Sequence, residues 1–294
     1  MRLASTVLMV RPASFGFNAE AAETNRFARA GMEAPAERAR AEFDAAVVRL
    51  REAGIRVCVA EDTASPPKPD AVFPNNWVSF GPDGGTVLFP MAPVSRRAER
   101  RNEIVALVRG AGWRDHCVDL TGLEASGGFV EGTGSLVLDH AGATGFAARS
   151  PRTTEAGISA FERATGYRIT CFEAWYGGAP VYHSNVVLAL GPGVAVVALA
   201  LVEEGREALV EALRAGGRDL VEIDAEQVAA YAGNLLWLEG AEGPVVAMSR
   251  SAEAAFTAAQ RARLGRRVVL DIPTIEAAGG GSARCMLAEV FERE

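Results

Sequence analysis

The sequence has 294 residues, of which 49% are hydrophobic and 23% are charged, and its formal net charge is −7 at pH 7. No stretch approaches the roughly 18 consecutive apolar residues that a membrane span needs, so a transmembrane protein is excluded. The basic residues form no block, which disfavours nucleic acid as a partner. We therefore expect a cytoplasmic protein that folds along its whole length.

The predicted elements, taken in chain order, repeat one unit five times: a strand, a Gly-rich turn, a second strand, a helix and a third strand. Equivalent positions at the starts of the first strands are 55, 52, 51 and 51 residues apart. The first strands are NNWVSF from Asn75, EGTGSLVLD from Glu131, HSNVVLAL from His183, GNLLWLEG from Gly233 and CMLAEVF from Cys285. The predicted helices are 37–53, 95–110, 153–165, 203–215 and 251–263.

The fifth unit lacks its second strand, but the N-terminal segment STVLMVRP is able to supply it by pairing with the last strand. Such pairing removes two exposed sheet edges. We therefore predict a single α/β domain over residues 1–294, a five-bladed ββαβ propeller with pseudo-fivefold symmetry and helices on the outside. The alternative is an ordinary two-domain α/β protein.

The repeat places the starts of the inner strands around one axis, so residues that are distant in sequence are expected to meet there. These positions include Glu131, His183, Asn234 and Cys285. A carboxylate, an imidazole and a thiol are the parts of a nucleophilic site of the Cys/His/acid kind.

The remaining cysteines and histidines are far apart, with no C-x-x-C motif and no spacing typical of metal ligands. Neither a disulfide framework nor a metal site is predicted. Cys58, Cys117 and Cys171 lie inside apolar strands and are interpreted as small buried side chains.

Seven segments, in order, resemble the pentein superfamily, and within it the arginine-deiminase-related or amidinotransferase-like proteins that include citrulline utilization hydrolases. They are MVRPASFGFN, DAVFPNNWVSF, SRRAERRNE, VEGTGSLVLD, SPRTT, YHSNVVLAL and GGGSARCMLAEV. The resemblance implies a five-bladed propeller. It also implies that Cys285 attacks the central carbon of a guanidinium or ureido group without a cofactor, that His183 is the acid/base and that Glu131 orients His183.

The resemblance also implies residues that bind the substrate. Arg97 and Arg152 match the positions that hold the α-carboxylate of an amino acid, and Arg96 is the alternative to Arg97. Planar guanidinium groups suit this task because they bind carboxylates with two parallel hydrogen bonds.

The end of the site that holds the reacting group departs from the family pattern. Guanidine-modifying relatives carry acids where this chain has Asn75, Asn76 and Asn185, whereas Asp70 is retained. Amides in place of anions remove charge complementarity for a guanidinium and supply N–H donors for a neutral ureido oxygen. The alternative is that these asparagines stabilise turns at the strand starts.

The sequence therefore predicts a hydrolase of non-peptide C–N bonds that converts citrulline to ornithine, ammonia and carbon dioxide. Arginine deiminase, dimethylarginine hydrolase and amidinotransferase activities are the alternatives for the same site. A non-catalytic five-bladed binding module is the alternative from another class. The expected partner is a small amino-acid substrate, and a homo-oligomer is compatible with the sequence.

Overall fold

A computed structural model describes residues 1–33, 35–110 and 112–291 of the protein. Strands and helices alternate along the chain. The strands are β1 Thr6–Arg11, β2 Arg56–Glu61, β3 Val78–Phe80, β4 Thr86–Leu88, β5 Cys117–Asp119, β6 Val137–Asp139, β7 Thr144–Ala148, β8 Arg168–Tyr176, β9 Ala179–Pro180, β10 Leu188–Gly191, β11 Val194–Val197, β12 Val202–Glu204, β13 Asp219–Glu222, β14 Leu236–Gly240, β15 Gly243–Ser249, β16 Arg266–Leu270 and β17 Ala288–Val290. The helices are α1 Ala19–Ala22, α2 Pro35–Glu52, α3 Asn102–Arg109, α4 Gly132–Ser135, α5 Glu155–Thr165, α6 Arg206–Ala215, α7 Ala225–Ala229, α8 Arg250–Ala255 and α9 Ala258–Leu264.

The strands form one three-stranded pattern five times, in which a middle strand pairs antiparallel with the strand on one side and parallel with the strand on the other. The five sets are β17-β1-β2, β3-β4-β5, β6-β7-β8, β10-β11-β13 and β14-β15-β16. The first two sets join through β17 and β3 into one six-stranded sheet. The predicted α/β class is therefore confirmed, with mixed sheets.

The two ends of the described chain pair with each other. Strand β1 runs antiparallel to β17, with Thr6 opposite Val290 and Leu8 opposite Ala288. This is the pairing that the sequence predicted for the incomplete fifth unit. It leaves the inner edge of β17 free to pair with β3.

Two predicted helices are each divided in the structure. The prediction over 95–110 corresponds to a 3₁₀ stretch, Val94–Glu99, followed by α3, and the prediction over 251–263 corresponds to α8 and α9. The second break occurs because Thr257 begins a new helix: its side chain accepts from the Gln260 backbone N–H, and the Gln260 side chain accepts from the Thr257 N–H. Such a reciprocal capping box satisfies two N–H groups that would otherwise lack partners.

The helices pack their apolar faces against the sheets. In α2, Phe43, Val47 and Leu50 belong to the same buried cluster as Val268 and Leu270 of β16. Full burial of each side chain of this kind contributes about 1.5–3 kcal/mol, so this packing holds the helix in place. Among the described residues, no helix is long and apolar enough to cross a membrane.

Candidate active site

One cavity brings together side chains from distant parts of the chain. The thiol of Cys285 and the imidazole of His183 both line it, and the carboxylate of Glu131 lies next to His183. The remaining lining residues are Ala21, Asn25, Asp70, Phe73, Asn76, Arg96, Arg152, Tyr182 and residues 279–281.

The turns that precede the inner strands are linked by hydrogen bonds. Thr133 Oγ1 donates to the Asn75 carbonyl at 3.4 Å, and Asn185 Nδ2 donates to the Thr133 carbonyl at 3.3 Å. Asn234 Nδ2 donates to the Asn185 carbonyl at 3.1 Å, and the Cys285 N–H donates to Asn234 Oδ1 at 3.4 Å. Each bond joins one repeat to the next, which is why residues about 50 positions apart meet at the cavity.

Glu131 is buried and makes three polar contacts. Its Oε2 lies 2.8 Å from His183 Nε2 and 3.5 Å from Arg152 Nη1, and its Oε1 accepts from the Ala92 N–H at 2.9 Å. Burial opposes ionisation, but Arg152 and His183 outweigh it and lower the pKa of Glu131 to about 2. An ionised carboxylate only accepts hydrogen bonds, so Nε2 of His183 carries the proton and Nδ1 is left as an acceptor.

The imidazole of His183 is neutral at neutral pH. Burial lowers its pKa to about 4, although Glu131 acts in the opposite direction. Nδ1 lies close to Gly134: a Cβ at that position would be 2.7 Å from Nδ1 and 2.5 Å from Asn76 Nδ2. Glycine is therefore required there, and its absent side chain allows a proton acceptor and an amide donor to approach each other.

Cys285 lies in a 3₁₀ turn, Ala283–Met286, and is 3% exposed. Asn234 Nδ2 lies 3.3 Å and Asn185 Nδ2 lies 3.7 Å from its sulfur. Burial raises the pKa of the thiol, so the resting group is protonated. A thiolate forms here only when a base removes this proton, and the two amides lie where they would stabilise it.

Arg152 is buried in the wall of the cavity. Besides its contact with Glu131, its Nε donates to Thr24 Oγ1 at 2.7 Å and its Nη2 donates to the Ala21 carbonyl. The guanidinium carbon lies 5.2 Å from the centre of the Tyr182 ring. These contacts fix a cation beside His183 and join the N-terminal segment to the site.

Arg96, the alternative that the sequence left open, lines the cavity, whereas Arg97, the residue predicted to bind the substrate, is not part of its lining. Arg97 is partly exposed, donates to the Met91 carbonyl at 3.1 Å and pairs with Glu124 at 3.1 Å. Both arginines lie in the 3₁₀ stretch Val94–Glu99. With three residues per turn, neighbouring side chains in such a stretch point about 120° apart, so only one can face the cavity.

Arg96 is held by three hydrogen bonds. Its Nε and Nη2 donate to the two oxygens of Glu99, both at 2.8 Å, and its Nη1 donates to Asn76 Oδ1 at 2.8 Å. Asn76 Nδ2 in turn donates to Asn75 Oδ1 at 3.1 Å. Asn75 is fully buried and does not line the cavity, and its side-chain oxygen binds Asn76.

Asp70 is a buried carboxylate that lines the cavity. Its Oδ2 accepts from Asn18 Nδ2 at 2.8 Å and lies 3.6 Å from Arg96 Nε. Burial raises its pKa, and Arg96 opposes the rise. Among the described residues, no group of three or more His, Cys, Asp or Glu side chains is arranged to hold a metal ion.

The loop before Asp70 is held by the single lysine of the chain, Lys68, which is buried. Its Nζ donates to the carbonyls of Thr63 and Pro66 at 2.8 and 2.9 Å and to Thr63 Oγ1 at 2.9 Å. It lies 3.2 Å from the carboxylate of Asp62. The position of Asp70 thus depends on a buried cation two residues earlier.

Sequence analysis missed several residues of the cavity. Asn25 lines it from the N-terminal segment and donates through Nδ2 to the Gly280 carbonyl at 3.1 Å, and Asn18 of the same segment binds Asp70. Tyr182 contributes its ring and donates its hydroxyl to the same carbonyl at 2.8 Å. Asn18 lies within the segment MVRPASFGFN, so that motif was the one available signal for it.

A thiol, an imidazole and a carboxylate at one cavity of an α/β fold are the groups of a nucleophilic site of the Cys/His/acid kind. The chain matches the family model of eukaryotic N,N dimethylarginine dimethylhydrolase over residues 11–292. The chain therefore belongs to this family, within the pentein superfamily, which confirms the resemblance seen in the sequence.

Solved structures of three proteins have the same fold. ArgZ, an arginine dihydrolase from the ornithine–ammonia cycle in cyanobacteria, has a TM-score of 0.73 and 16% identity, covering 98% of this chain and 40% of ArgZ. A cysteine-to-alanine mutant of AgrE with L-arginine has a TM-score of 0.78 and 16% identity, covering 99% of this chain and 40% of AgrE. A cysteine-to-serine mutant of DDAH from Pseudomonas aeruginosa with citrulline has a TM-score of 0.70 and 18% identity, covering 98% of this chain and 100% of that one.

This chain thus spans about 40% of the length of ArgZ and AgrE and the whole of the Pseudomonas enzyme. No curated protein gives a match to the chain.

Proposed function

We propose that the protein hydrolyses citrulline to ornithine, ammonia and carbon dioxide, with Cys285 as the nucleophile. The observation that carries this proposal is the hydrogen bond from Arg96 Nη1 to Asn76 Oδ1, at 2.8 Å. A guanidinium only donates hydrogen bonds, so Asn76 must turn its oxygen toward Arg96. Its amide nitrogen therefore remains a donor at the cavity wall.

This donor suits a ureido group better than a guanidinium. The ureido oxygen of citrulline accepts a hydrogen bond from the second N–H of Asn76 Nδ2, whose first N–H is bound to Asn75. A guanidinium offers only N–H groups, which would face the amide N–H without an acceptor. The terminal nitrogen of citrulline donates to Asp70, a carboxylate of the same cavity.

Pairing among the buried charges leaves Asp70 as the one carboxylate of this group without an arginine of its own. Glu99 already pairs with Arg96, and Glu131 already contacts Arg152 and His183. Asp70 is partly balanced by Arg96 as well. A buried cation without full compensation is costly, whereas the ureido group is neutral.

The reaction follows from the protonation states. Nδ1 of the neutral His183 takes the Cys285 proton, and the thiolate forms a bond to the ureido carbon. The bond from that carbon to the side-chain nitrogen then breaks, and His183 returns the proton to the departing amine of ornithine. Water attacks the carbamoyl thioester that remains, the sulfur leaves and regains a proton, and the carbamic acid product decomposes to ammonia and carbon dioxide.

The binding of the amino-acid end is assigned to Arg152, because Arg96 already contacts Asn76 and Asp70 at the ureido end. Arg152 is a buried cation of the cavity, and a carboxylate is the ligand for which guanidinium geometry is best suited. We further propose that residues 1–294 form one catalytic domain, in which the five strand sets surround a single axis as a five-bladed propeller. The hydrogen bonds that join one inner turn to the next support this arrangement.

Arginine or dimethylarginine hydrolysis is the second candidate function. The buried carboxylate of Asp70 at the cavity favours it, since an anion near the reacting group stabilises a guanidinium. The binding of L-arginine in the AgrE structure is consistent with such a substrate in this fold.

We expect citrulline to exceed arginine in kcat/KM by at least about tenfold, the factor that corresponds to 1.4 kcal/mol. Quantification of ornithine and of citrulline as products, with citrulline, arginine and dimethylarginine supplied separately, measures this ratio. Asn76→Asp is expected to narrow it by favouring the cation, and Asn234→Asp, at the sulfur, is a control for a new charge elsewhere in the site. Equal efficiency with arginine would contradict the charge argument and leave the nucleophile assignment standing.

We expect Arg96→Lys to raise the KM for citrulline by roughly ten- to a hundredfold, since it removes a charge-assisted hydrogen bond, worth about 1.5–3 kcal/mol, that turns the Asn76 N–H toward the ureido oxygen. Lysine keeps the buried charge beside Glu99, so the fold is retained. Arg97→Ala is the matched control, because Arg97 lies on the same 3₁₀ stretch but outside the cavity, and its KM should stay near that of the unchanged protein. A larger KM change in Arg97→Ala than in Arg96→Lys would reverse the assignment of the two residues.

A further inference from the structure

A further buried carboxylate, Glu276, binds Ser282, three residues before Cys285, and has no part in the reaction described above. Glu276 is 5% exposed and belongs to a π-helical stretch, Ile275–Gly279. Its Oε1 accepts from Ser282 Oγ at 2.6 Å, and its Oε2 accepts from Ser251 Oγ, at the start of α8, at 2.7 Å. Glu276 thus connects the loop before the nucleophile to a helix outside the cavity.

Ser282 is directly linked to the nucleophile. Its carbonyl accepts the Cys285 N–H at 3.0 Å, which sets the first turn of the 3₁₀ segment that carries the sulfur. The Ser282 side chain therefore joins Glu276 to the same residue whose carbonyl fixes the Cys285 backbone.

The chain between Glu276 and Ser282 contains three consecutive glycines, residues 279–281. Gly280 has φ of +64°, and a Cβ there would lie 2.5 Å from the Ala28 N atom. Such a segment has little conformational preference of its own, so its shape depends on side chains that bind it. Tyr182 and Asn25 hold the Gly280 carbonyl, and Glu276 holds the far end through Ser282.

The Glu276 backbone is itself anchored. Tyr231 donates its hydroxyl to the Glu276 carbonyl at 2.9 Å. With its backbone held by Tyr231 and one carboxylate oxygen held by Ser251, Glu276 presents the other oxygen to Ser282 from a fixed position.

We propose that Glu276 is a positioning residue that acts through Ser282 to set the orientation of the Cys285 sulfur toward the substrate carbon. The inference rests on the proposed role of Cys285 as the nucleophile. Misplacement of a reacting group by about 1 Å can reduce a rate by roughly a hundredfold. The effect is therefore expected on kcat rather than on KM, because neither Glu276 nor Ser282 lines the cavity.

The test compares Ser282→Ala with Thr257→Ala. Thr257 caps the first turn of α9, and its Oγ1 accepts from the Gln260 N–H at 3.2 Å. Each substitution therefore removes one side-chain hydroxyl and the hydrogen bond that this hydroxyl makes. We expect both to lower the melting temperature by a few degrees. Only Ser282→Ala should lower kcat, by at least about tenfold, with KM within about twofold of the unchanged protein.

A second pair of variants tests Glu276 itself. Glu276→Gln keeps an oxygen that accepts from Ser282 and should retain kcat within about threefold, whereas Glu276→Ala should lower kcat as much as Ser282→Ala does. If Glu276→Ala does not fold, the kcat values of Ser282→Ala and Thr257→Ala still decide whether the contact between Glu276 and Ser282 positions the sulfur. A kcat for Ser282→Ala equal to that of Thr257→Ala overturns the proposal.

Each rate is measured with whichever of citrulline, arginine or dimethylarginine the unchanged protein converts best. Failure to convert any of them would overturn the proposed function, whereas an active protein that is indifferent to Ser282→Ala would overturn the positioning role alone. The two failures are therefore distinguishable.

Discussion

Replacement of Cys285 by alanine is expected to reduce the conversion of citrulline by at least about a thousandfold, as the loss of a covalent nucleophile does in other hydrolases. In the proposed reaction the sulfur bonds to the ureido carbon, and alanine has no group to replace it. The fold should remain, because the substitution removes one small atom from a buried site next to the apolar residues Met286 and Leu287. Product formation and the melting temperature, measured on the same sample, check both statements.

Cys171→Ala is the matched control for this substitution. Cys171 is a half-buried free cysteine on β8 and is absent from the lining of the cavity. Its removal should leave kcat/KM unchanged. Retention of most of the activity by Cys285→Ala would show that another group attacks the substrate.

Replacement of Glu131 by glutamine is expected to lower kcat by about a thousand- to ten-thousandfold, the loss seen when the acid that orients a catalytic histidine becomes an amide. The amide N–H of glutamine favours donation to His183 Nε2, which moves the imidazole proton to Nδ1. With the proton on Nδ1, His183 would have no free nitrogen at the cavity to take the proton of Cys285. Steady-state rates with saturating citrulline measure the effect.

Glu124→Gln is the control for the loss of a carboxylate. Glu124 pairs with Arg97 and Arg100 and accepts from the Met91 N–H, all outside the cavity. Its substitution should leave kcat within about twofold, since exposed or partly exposed ion pairs contribute little. If Glu131→Gln had no greater effect than Glu124→Gln, Glu131 would not control the tautomer of His183.

The repeat was readable from the sequence because strand and helix periodicity is local and recurs at a near-constant spacing. That spacing predicted which residues share a position in their units, and the pairing of β1 with β17 followed from the incomplete last unit. The meeting of His183, Glu131 and Cys285 at one end of the sheets is a consequence of the same register. The spacing Thr257-x-x-Gln260 is typical of a capping box, and it indicates the break between α8 and α9 that the predicted helix 251–263 did not include.

The remaining features depend on direction and on long-range contacts, which spacing does not encode. Arg96 and Arg97 are identical neighbours, and only the geometry of the 3₁₀ stretch decides which one faces the cavity. Asn18 and Asn25 lie in a segment outside the repeated units, so no equivalent position in another unit points to them. The sequence grouped Asn75 with Asn76, but the 3₁₀ turn Pro74–Asn76 directs the two side-chain amides differently.

Lys68 gives the molecule a natural reporter of local opening. An amine-acylating reagent reacts with a free, uncharged lysine, and the one lysine side chain of this sequence is enclosed by Asp62, Thr63 and Pro66. Acylation of Lys68 therefore requires the loop before Asp70 to open, and its rate measures how often that loop leaves its closed form. Slower acylation of Lys68 in the presence of citrulline would indicate that the occupied cavity holds this loop shut. The measurement needs no residue to be engineered into the chain.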